Sequence, residues 1–515
     1  MASSFFSPFP SPSQISHSHR QTSAAAIATQ FSSFQPSSSS PSPRSSSSIQ
    51  LSVSDYNSLI KAHTDAGRSG FALLLFHRML AIDALLPDRF TFPSVLKACA
   101  LLPAAAEGEQ IHSLVLKSFF APADDIFVLT TLVHFYARCS RLSDARLVFD
   151  KMPHRNPASW NSMLDGYARS GAMESAHMLF DEMPERNIFS WNILIGGYVR
   201  DGLPLEALKL FYDLRFLGLS PDESTMAIVI TAISDHGLLS LGRMAHAYVF
   251  RRMFSLHGAL AVALIHMYAE SGSIEAAQLT FFITESKNVR HWTALIAGFA
   301  VHGLANSALQ LFDEMLHLGI RPNHITFVSV LTACSHAGLV HEGLKLFKLM
   351  SRFGIEPGVE HYGCLVDLLS RVGLLEEAME VVRGIPIEPG PVIWSSLLAA
   401  CRNFGHAEMA QFAARKLIEL DSSNGSSYAL LSNLCARLGR WEDFRTVRIA
   451  MEEREAGKVA GLSWIEICGH IHEFVSGDRK HSRTADIYKV LDEMSSFLRL
   501  GEAQDHLFLC CSCTV

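Results

Sequence analysis

The stretch "SWNSMLDGYARSGAMESAHMLFDEMPERN", residues 159–187, decides the fold, because "SWNILIGGYVRDG" repeats its opening 31 positions later, from Ser190. Two more copies, "HWTALIAGFAVHG" at His291 and a looser "DYNSLIKAHTDAG" at Asp55, extend the pattern. The anchors Tyr56, Trp160, Trp191, Trp292 and Trp394 are 104, 31, 101 and 102 residues apart. Each long gap holds three repeats of about 31–37 residues, since copies such as "FTFPSVLKACA" and "FVLTTLVHFYARC" fill the interior. Self-similarity at this period marks a solenoid, whose function lies on an extended surface.

Within one copy, Trp160, Met163, Leu164 and Tyr167 fall at i, i+3, i+4 and i+7, one face of an α-helix that Gly171 ends. Met173, Ala176, Leu179, Phe180 and Met183 then trace a second helix, which Pro184 stops. A lone helical hairpin would expose apolar surface on both sides, so it must stack on its neighbours, and the array curls into a superhelix. The same partition gives units at 53–88, 89–125, 126–156, 157–187, 188–222, 223–257, 258–288, 289–323, 324–358 and 359–390. Units ending in "GLSPD" or "GIRPN" have 35 residues and those ending in "MPHRN", "MPERN" or "ESKN" have 31, in recurring long–long–short triplets. A tetratricopeptide array would hold to about 34 residues throughout.

Composition narrows the function classes. A mean hydropathy of +0.19 and 49% hydrophobic residues suit helices that bury a stripe on both neighbours. No apolar run reaches the roughly 18 residues of a membrane span, so no membrane partner is expected. The formal charge of −7 argues against gripping nucleic acid by bulk electrostatics, so any binding must rest on locally placed groups. Cys99, Cys334 and Cys401 occupy equivalent places in "KACA", "TACS" and "AACR" and read as small buried thiols. Residues 1–50 are rich in Ser and Pro, with Arg20 and Arg44 as the only strong charges, the composition of an organelle transit peptide.

With the lengths and motifs in view, the chain resembles the plant organellar pentatricopeptide repeat proteins of the PLS class, from Val53 to about Leu500. "IWSSLLAACRNFGHAEMAQFAARKLIELD" and "SYALLSNLCARLGRWEDFRTVRIAMEERE" look like the two E motifs of that class, and "GLSWIEICGHIHEFVSGDRKHSRTADIYKVLDEM" like its E+ extension. The resemblance implies an all-α, right-handed superhelical solenoid with this layout: transit peptide 1–52, repeats 53–390, E motifs 391–461, E+ extension 462–500 and an atypical tail 501–515.

It also implies single-stranded RNA as the partner, read one nucleotide per repeat by the residue after the anchor and the last residue of the repeat. Asn, Thr and Ser suit the first place because an amide carries donor and acceptor together and a hydroxyl can turn to serve as either. The pairs are Asn57 with Asp88, Thr130 with Asn156, Asn161 with Asn187, Asn192 with Asp222, and Thr293 with Asn323. By the family code Asn with Asp prefers uridine, Thr with Asn adenosine, and Asn with Asn a pyrimidine. From the 5′ end the string is U, unread, A, pyrimidine, U, unread, unread, A. Pro93 with Asp125, Ala227 with His257 and Val262 with Asn288 depart from the code. An Asn beside the anchor at such a helix start can alternatively cap the helix or hydrogen-bond the turn.

Longer relatives carry a zinc deaminase after the E+ segment. Cys510 and Cys513 form a Cys-x-x-Cys here, but no His-x-Glu precedes them and two ligands cannot close a tetrahedral zinc site. "HIHEF" at His470 reads as an extended, alternating segment of the E+ string. The tail "LGEAQDHLFLCCSCTV" departs from the sequence that normally succeeds E+ in the family, which suggests a truncated gene model or domain. The expectation is a protein without catalytic residue, metal or cofactor, located in the chloroplast or else the mitochondrion. Its E/E+ region would recruit a DYW-type deaminase or an editing accessory protein for C-to-U editing. The rival readings are a splicing, stability or translation factor and a protein-scaffolding solenoid.

Overall fold

The computed structural model describes residues 51–495 except 103, 118–124, 236, 421–424, 438, 455–461, 468–469 and 476–478. The segments behind the transit-peptide and Cys-x-x-Cys readings, 1–50 and 501–515, lie outside the described residues. The chain divides into two compact units, Met1–Ala232 and Ile233–Val515.

The first unit stacks helical hairpins: α1 (Val53–Asp65) with α2 (Ser69–Ala81), α3 (Thr91–Leu101) with α4 (Ala105–Lys117), and α5 (Ile126–Arg138) with α6 (Leu142–Lys151). It continues with α7 (Pro157–Arg169) and α8 (Met173–Glu182), α9 (Ile188–Arg200) and α10 (Pro204–Phe216), then α11 (Glu223–Ser234), inside which the boundary falls. First helices pack side by side, α1 on α3, α3 on α5, α5 on α7 and α7 on α9, so their equivalent positions line up. Met163, Leu164, Ala176, Leu179 and Phe180 are at most 2% exposed, each large one contributing about 1.5–3 kcal/mol. The apolar spacing read from the sequence is therefore the packing face.

The second unit begins with α12 (Leu239–Arg251) and repeats the hairpin: α13 (Gly258–Glu270) with α14 (Ile274–Ile283), α15 (Val289–Val301) with α16 (Ala305–His317), and α17 (His324–Ala337) with α18 (Val340–Leu349). The series ends with α19 (Val359–Val372) and α20 (Leu375–Gly384), α21 (Pro391–Phe404) and α22 (Ala407–Leu420), and α23 (Gly425–Arg437) and α24 (Trp441–Glu453). Both units thus carry the expected helix-turn-helix solenoid.

The turns are made by local chemistry. Gly171, at φ +76°, lets Ala172 N donate to Tyr167 O at 3.1 Å and closes α7 in a left-handed cap. Ser140 makes the equivalent turn after α5 at φ +60°, without glycine's freedom. In α4, Gly108 lies against the next repeat, where a Cβ would sit 2.0 Å from Phe135 Cζ.

Aromatic contacts join successive repeats after each short unit. Phe149 meets Trp160 edge to face at 5.0 Å, Phe180 meets Trp191 at 4.8 Å and Phe281 meets Trp292 at 5.0 Å. The basic residue of each short ending lies over the same Phe: Arg155 at 4.7 Å, Arg186 at 4.9 Å and Lys287 at 5.2 Å. Arg155 Nε and Arg186 Nε also donate at 3.0 Å to the carbonyls of Phe149 and Phe180, a second bond beside those from Met152 N and Met183 N at the ends of α6 and α8. The recurring "MPHRN" and "MPERN" endings are thus C-terminal helix caps.

After α24 the all-α solenoid is followed by one short two-stranded ribbon. There β1 (Leu462–Ile467) and β2 (His470–Val475) pair antiparallel, Leu462 opposite Val475 and Ile467 opposite His470. The "HIHEF" alternation has the period of a strand, as expected for that segment. Residues 484–495 then form a helix. Cys99, Cys334 and Cys401 are fully buried, and burial pushes their thiols up to about 12, 11 and 11. They are inert packing residues.

Candidate nucleic-acid interface

The candidate readers Asn57, Thr130, Asn161, Asn192 and Thr293 each stand fifth in a first helix: α1, α5, α7, α9 and α15. This is inside the helix, so they are not caps. Their terminal partners do cap the following helix. Asn156 Oδ1 accepts from Ser159 N at 2.8 Å, Asn187 Oδ1 from Ser190 N at 2.9 Å, and Asn323 Oδ1 from Thr326 N at 2.9 Å. Asp88 Oδ1 accepts from Thr91 N at 2.9 Å and Asp222 Oδ1 from Thr225 N at 2.7 Å. Capping also occurs where the code is broken, by Asp125 on Phe127 N and Asn288 on Arg290 N. His257 makes no cap with its side chain. Capping alone therefore explains Asp or Asn at the end of a repeat, whereas it leaves the fifth-position residues unexplained.

Two of the five pairs are joined directly. Asn57 Nδ2 donates to Asp88 Oδ1 at 3.0 Å, and Asn192 Nδ2 to Asp222 Oδ1 at 3.2 Å. A third group completes both networks: Thr91 Oγ1 donates to Asn57 Oδ1 at 2.7 Å and Thr225 Oγ1 to Asn192 Oδ1 at 2.8 Å. Thr293 and Asn323 are linked through Thr326, whose hydroxyl lies 2.7 Å from Thr293 Oγ1 and donates to Asn323 Oδ1 at 3.0 Å. The two remaining pairs are not joined in this way. Ser159 and Ser190 give their protons to the backbone oxygens of Asn156 and Asn187, both at 2.8 Å. Thr130 Oγ1 and Asn161 Oδ1 are buried and have no hydrogen-bond partner among the described residues.

Burial pushes the Asp88 and Asp222 carboxyls up. Hydrogen bonds from Thr91 and Asn57, and from Thr225 and Asn192, outweigh it and hold both below the usual carboxylate range. Both are ionised acceptors at neutral pH.

Sequence reasoning missed three sets of residues on these helices. Thr91, Thr225 and Thr326, all fully buried, could have been found as capping-box partners three residues past Asp88, Asp222 and Asn323. Phe127 and Phe189 are 69% and 61% exposed three residues before Thr130 and Asn192, hence on the same helix face. Nothing in the local pattern separates them from core residues. Arg138, Arg169 and Arg200 end α5, α7 and α9, three consecutive first helices. A cleft of about 330 Å³ on the α1, α3 and α5 side is lined by Lys61, Lys97, Thr130 and His134 among others, with Lys97 paired to Asp65 at 2.8 Å. Locally placed cations thus accompany a net negative chain. Among the described residues no group of three or more His, Cys, Asp or Glu could hold a metal, and no helix is long and apolar enough to cross a membrane.

Comparison with known proteins agrees with the stack of helical hairpins. The family description "PPR repeat" matches residues 54–83, 127–156, 158–188, 325–355 and 360–385, "PPR repeat family" matches 186–235 and 287–336, and "E motif" matches 404–466. A pentatricopeptide repeat-containing protein of Arabidopsis thaliana, named chloroplastic/mitochondrial, is 38% identical over 86% of this chain and 67% of its own length. Another from Arabidopsis thaliana, named mitochondrial, is 34% identical over 95% of this chain and 84% of its own length. The chain spans about two thirds of the length of the relatives first matched. A crystal structure of the pentatricopeptide repeat protein PPR10 of maize, in complex with an 18-nt psaJ RNA element, shares the fold at a TM-score of 0.55 and 17% identity, over 79% of this chain and 65% of that one. With its hairpin stack, alternating repeat lengths and E motif, the chain belongs to the pentatricopeptide repeat family, in the PLS class with an E motif.

Proposed function

We propose that this is a single-stranded RNA-binding protein of a plant organelle that recognises its transcript base by base. The recurrence of Asn or Thr at the fifth position of a first helix, opposite a terminal Asp or Asn, carries the reading, because capping accounts for the second member of each pair and turn hydrogen bonds account for Asn57, Asn192 and Thr293, but neither accounts for Thr130 Oγ1 and Asn161 Oδ1. A scaffold that binds only protein has no use for that matched polarity. Exposed Phe127 and Phe189 on the reading face supply surfaces on which bases stack, and Arg138, Arg169 and Arg200 supply phosphate contacts. Asn reaches one bond further than Thr, so Asn57 and Asn192 suit the smaller pyrimidine and Thr130 and Thr293 a purine.

The function we assign is selection of a cytidine for C-to-U editing. The array spans residues 53–390, the E motifs 391–461 and an E+ extension 462–500, the last two recruiting a deaminase in trans. The chloroplast is our assignment, supported by the Ser/Pro-rich start and by relatives named for chloroplast and mitochondrion. The binding test is affinity for RNA bearing U, A, a pyrimidine, U and A at the first, third, fourth, fifth and eighth places, against single-base changes. Asn192→Thr should move the fifth-place preference from uridine to a purine. A uniform loss of affinity with unchanged preference refutes base reading. Editing is tested by sequencing organelle RNA from a plant lacking the gene: at least one C-to-U event should be lost, whereas full editing with defective introns favours a splicing role.

A further inference from the structure

Resting on the base-reading proposal, we infer that the buried threonines Thr91, Thr225 and Thr326 are positioning residues that fix which hydrogen-bond polarity each reading pair shows a base. Each comes from the repeat after the reader and is fully buried, so it cannot touch RNA itself. In the Asn192 network the acceptor-only carboxylate of Asp222 faces Nδ2, and the Thr225 hydroxyl, whose proton is shared with Asp222 Oδ1 at 2.8 Å, faces Oδ1. The amide is thereby held against rotation by 180°. It presents its second N–H as a donor, and Asp222 presents its free oxygen as an acceptor. The Asn57, Asp88 and Thr91 network is the same.

At Thr293 the signs reverse. Asn323 Oδ1 accepts from both the backbone N and the hydroxyl of Thr326. Thr326 has then spent its proton, so Thr293 donates to it and shows the base a lone pair, while Asn323 turns Nδ2 outward. The first arrangement suits O4 and N3–H of uridine and meets cytidine with both signs wrong. The second suits N6–H and N1 of adenosine and meets guanosine with both signs wrong.

The short repeats provide the contrast. Ser159 and Ser190 commit their protons to backbone oxygens, and no hydrogen bond holds Thr130 Oγ1 or Asn161 Oδ1. Asn161 can turn to serve either pyrimidine, and Thr130 should separate A from G less well than Thr293 does. The threonine, together with the pair, sets how sharply a repeat reads.

The experiment measures affinity of the full chain for RNAs carrying each base at the fifth place, for the parent, Thr225→Val, Thr225→Ser and Asn192→Thr. Thr225→Val should lower the uridine-to-cytidine ratio roughly three- to tenfold, the worth of one aligned hydrogen bond. Thr225→Ser, which keeps the hydroxyl, should restore it. If Asn192→Thr moves the preference to a purine while Thr225→Val leaves the ratio unchanged, or weakens all four RNAs equally, the threonine role is overturned and base reading stands. If Asn192→Thr moves nothing, base reading itself fails. Should Thr225→Val not fold, Thr326→Val is read at the eighth place, where the adenosine-to-guanosine ratio should fall by a similar factor. An unchanged ratio there overturns the inference.

Discussion

At Asp222 a single oxygen, Oδ1, accepts from Thr225 N, Thr225 Oγ1 and Asn192 Nδ2, at 2.7, 2.8 and 3.2 Å, so the helix cap and the proposed base reading fall on one carboxylate. Asp222→Asn separates the two roles. Asn caps as well as Asp, so thermal unfolding should shift by less than about 0.5 kcal/mol, while the uridine-to-cytidine ratio at the fifth place should collapse toward one. A large loss of stability with the ratio intact would show that the residue is only a cap. Ser140 gives a second test, independent of RNA. It holds φ +60° where the other short repeats, after α7 and α13, have Gly171 and Gly272 at +76° and +81°. A left-handed non-glycine costs roughly 1–2 kcal/mol, so Ser140→Gly should raise the unfolding free energy by about 1 kcal/mol in a denaturant titration. Asn57, Asn192 and their partners could be named as candidates from one sequence because the family resemblance puts its reader positions at a fixed phase to an aromatic anchor. Thr225 was legible only as a local cap: its hydroxyl reaches Asn192 of the previous repeat, and no short-range spacing encodes that contact.

At the scale of the element, the short repeat is defined by its ending. Arg186 Nε closes the Phe180 carbonyl, its guanidinium covers the Phe180 ring, and that ring meets Trp191 of the next repeat. Removing this side chain as Arg186→Ala should therefore cost about 2 kcal/mol, from two helix-end hydrogen bonds, to Phe180 O and Asp181 O, and one cation–π contact. Arg186→Lys should recover about half of that. The chain performs this substitution itself in the repeat ending at Asn288, where Lys287 Nζ donates to Thr284 O at 2.6 Å and lies over Phe281. Equal losses for Ala and Lys would assign the effect to the planar guanidinium alone. The period and the Pro184 stop could be read in advance because sequence repetition copies a local rule. The ribbon at 462–475 was legible only as alternation in "HIHEF"; its pairing register depends on β1, whose pattern is too short to stand out from the helical sequence around it.

For the whole molecule the net charge of −7 and the local cations set opposite expectations for binding, and their balance can be measured. Bulk attraction is absent, so affinity must come from base contacts and a few phosphate contacts, and the salt dependence counts the latter. Lys97 is paired with Asp65, and the arginines that recur at the ends of three successive first helices, Arg138, Arg169 and Arg200, are the candidates. Three phosphate contacts to a single strand give a slope of log K against log salt near −2, about 0.7 for each. A fourfold rise in salt should then weaken binding by roughly twentyfold, far less than for a basic groove. Arg169→Ala should lower affinity for every sequence alike and reduce the slope by about 0.7, leaving base preferences unchanged. Asn192→Thr should do the reverse, changing preference at one place and leaving the slope alone. A slope steeper than about −6, the range of a protein with many phosphate contacts, would mean that electrostatics dominates after all. The arginine line would then be only a fragment of a wider phosphate-binding surface.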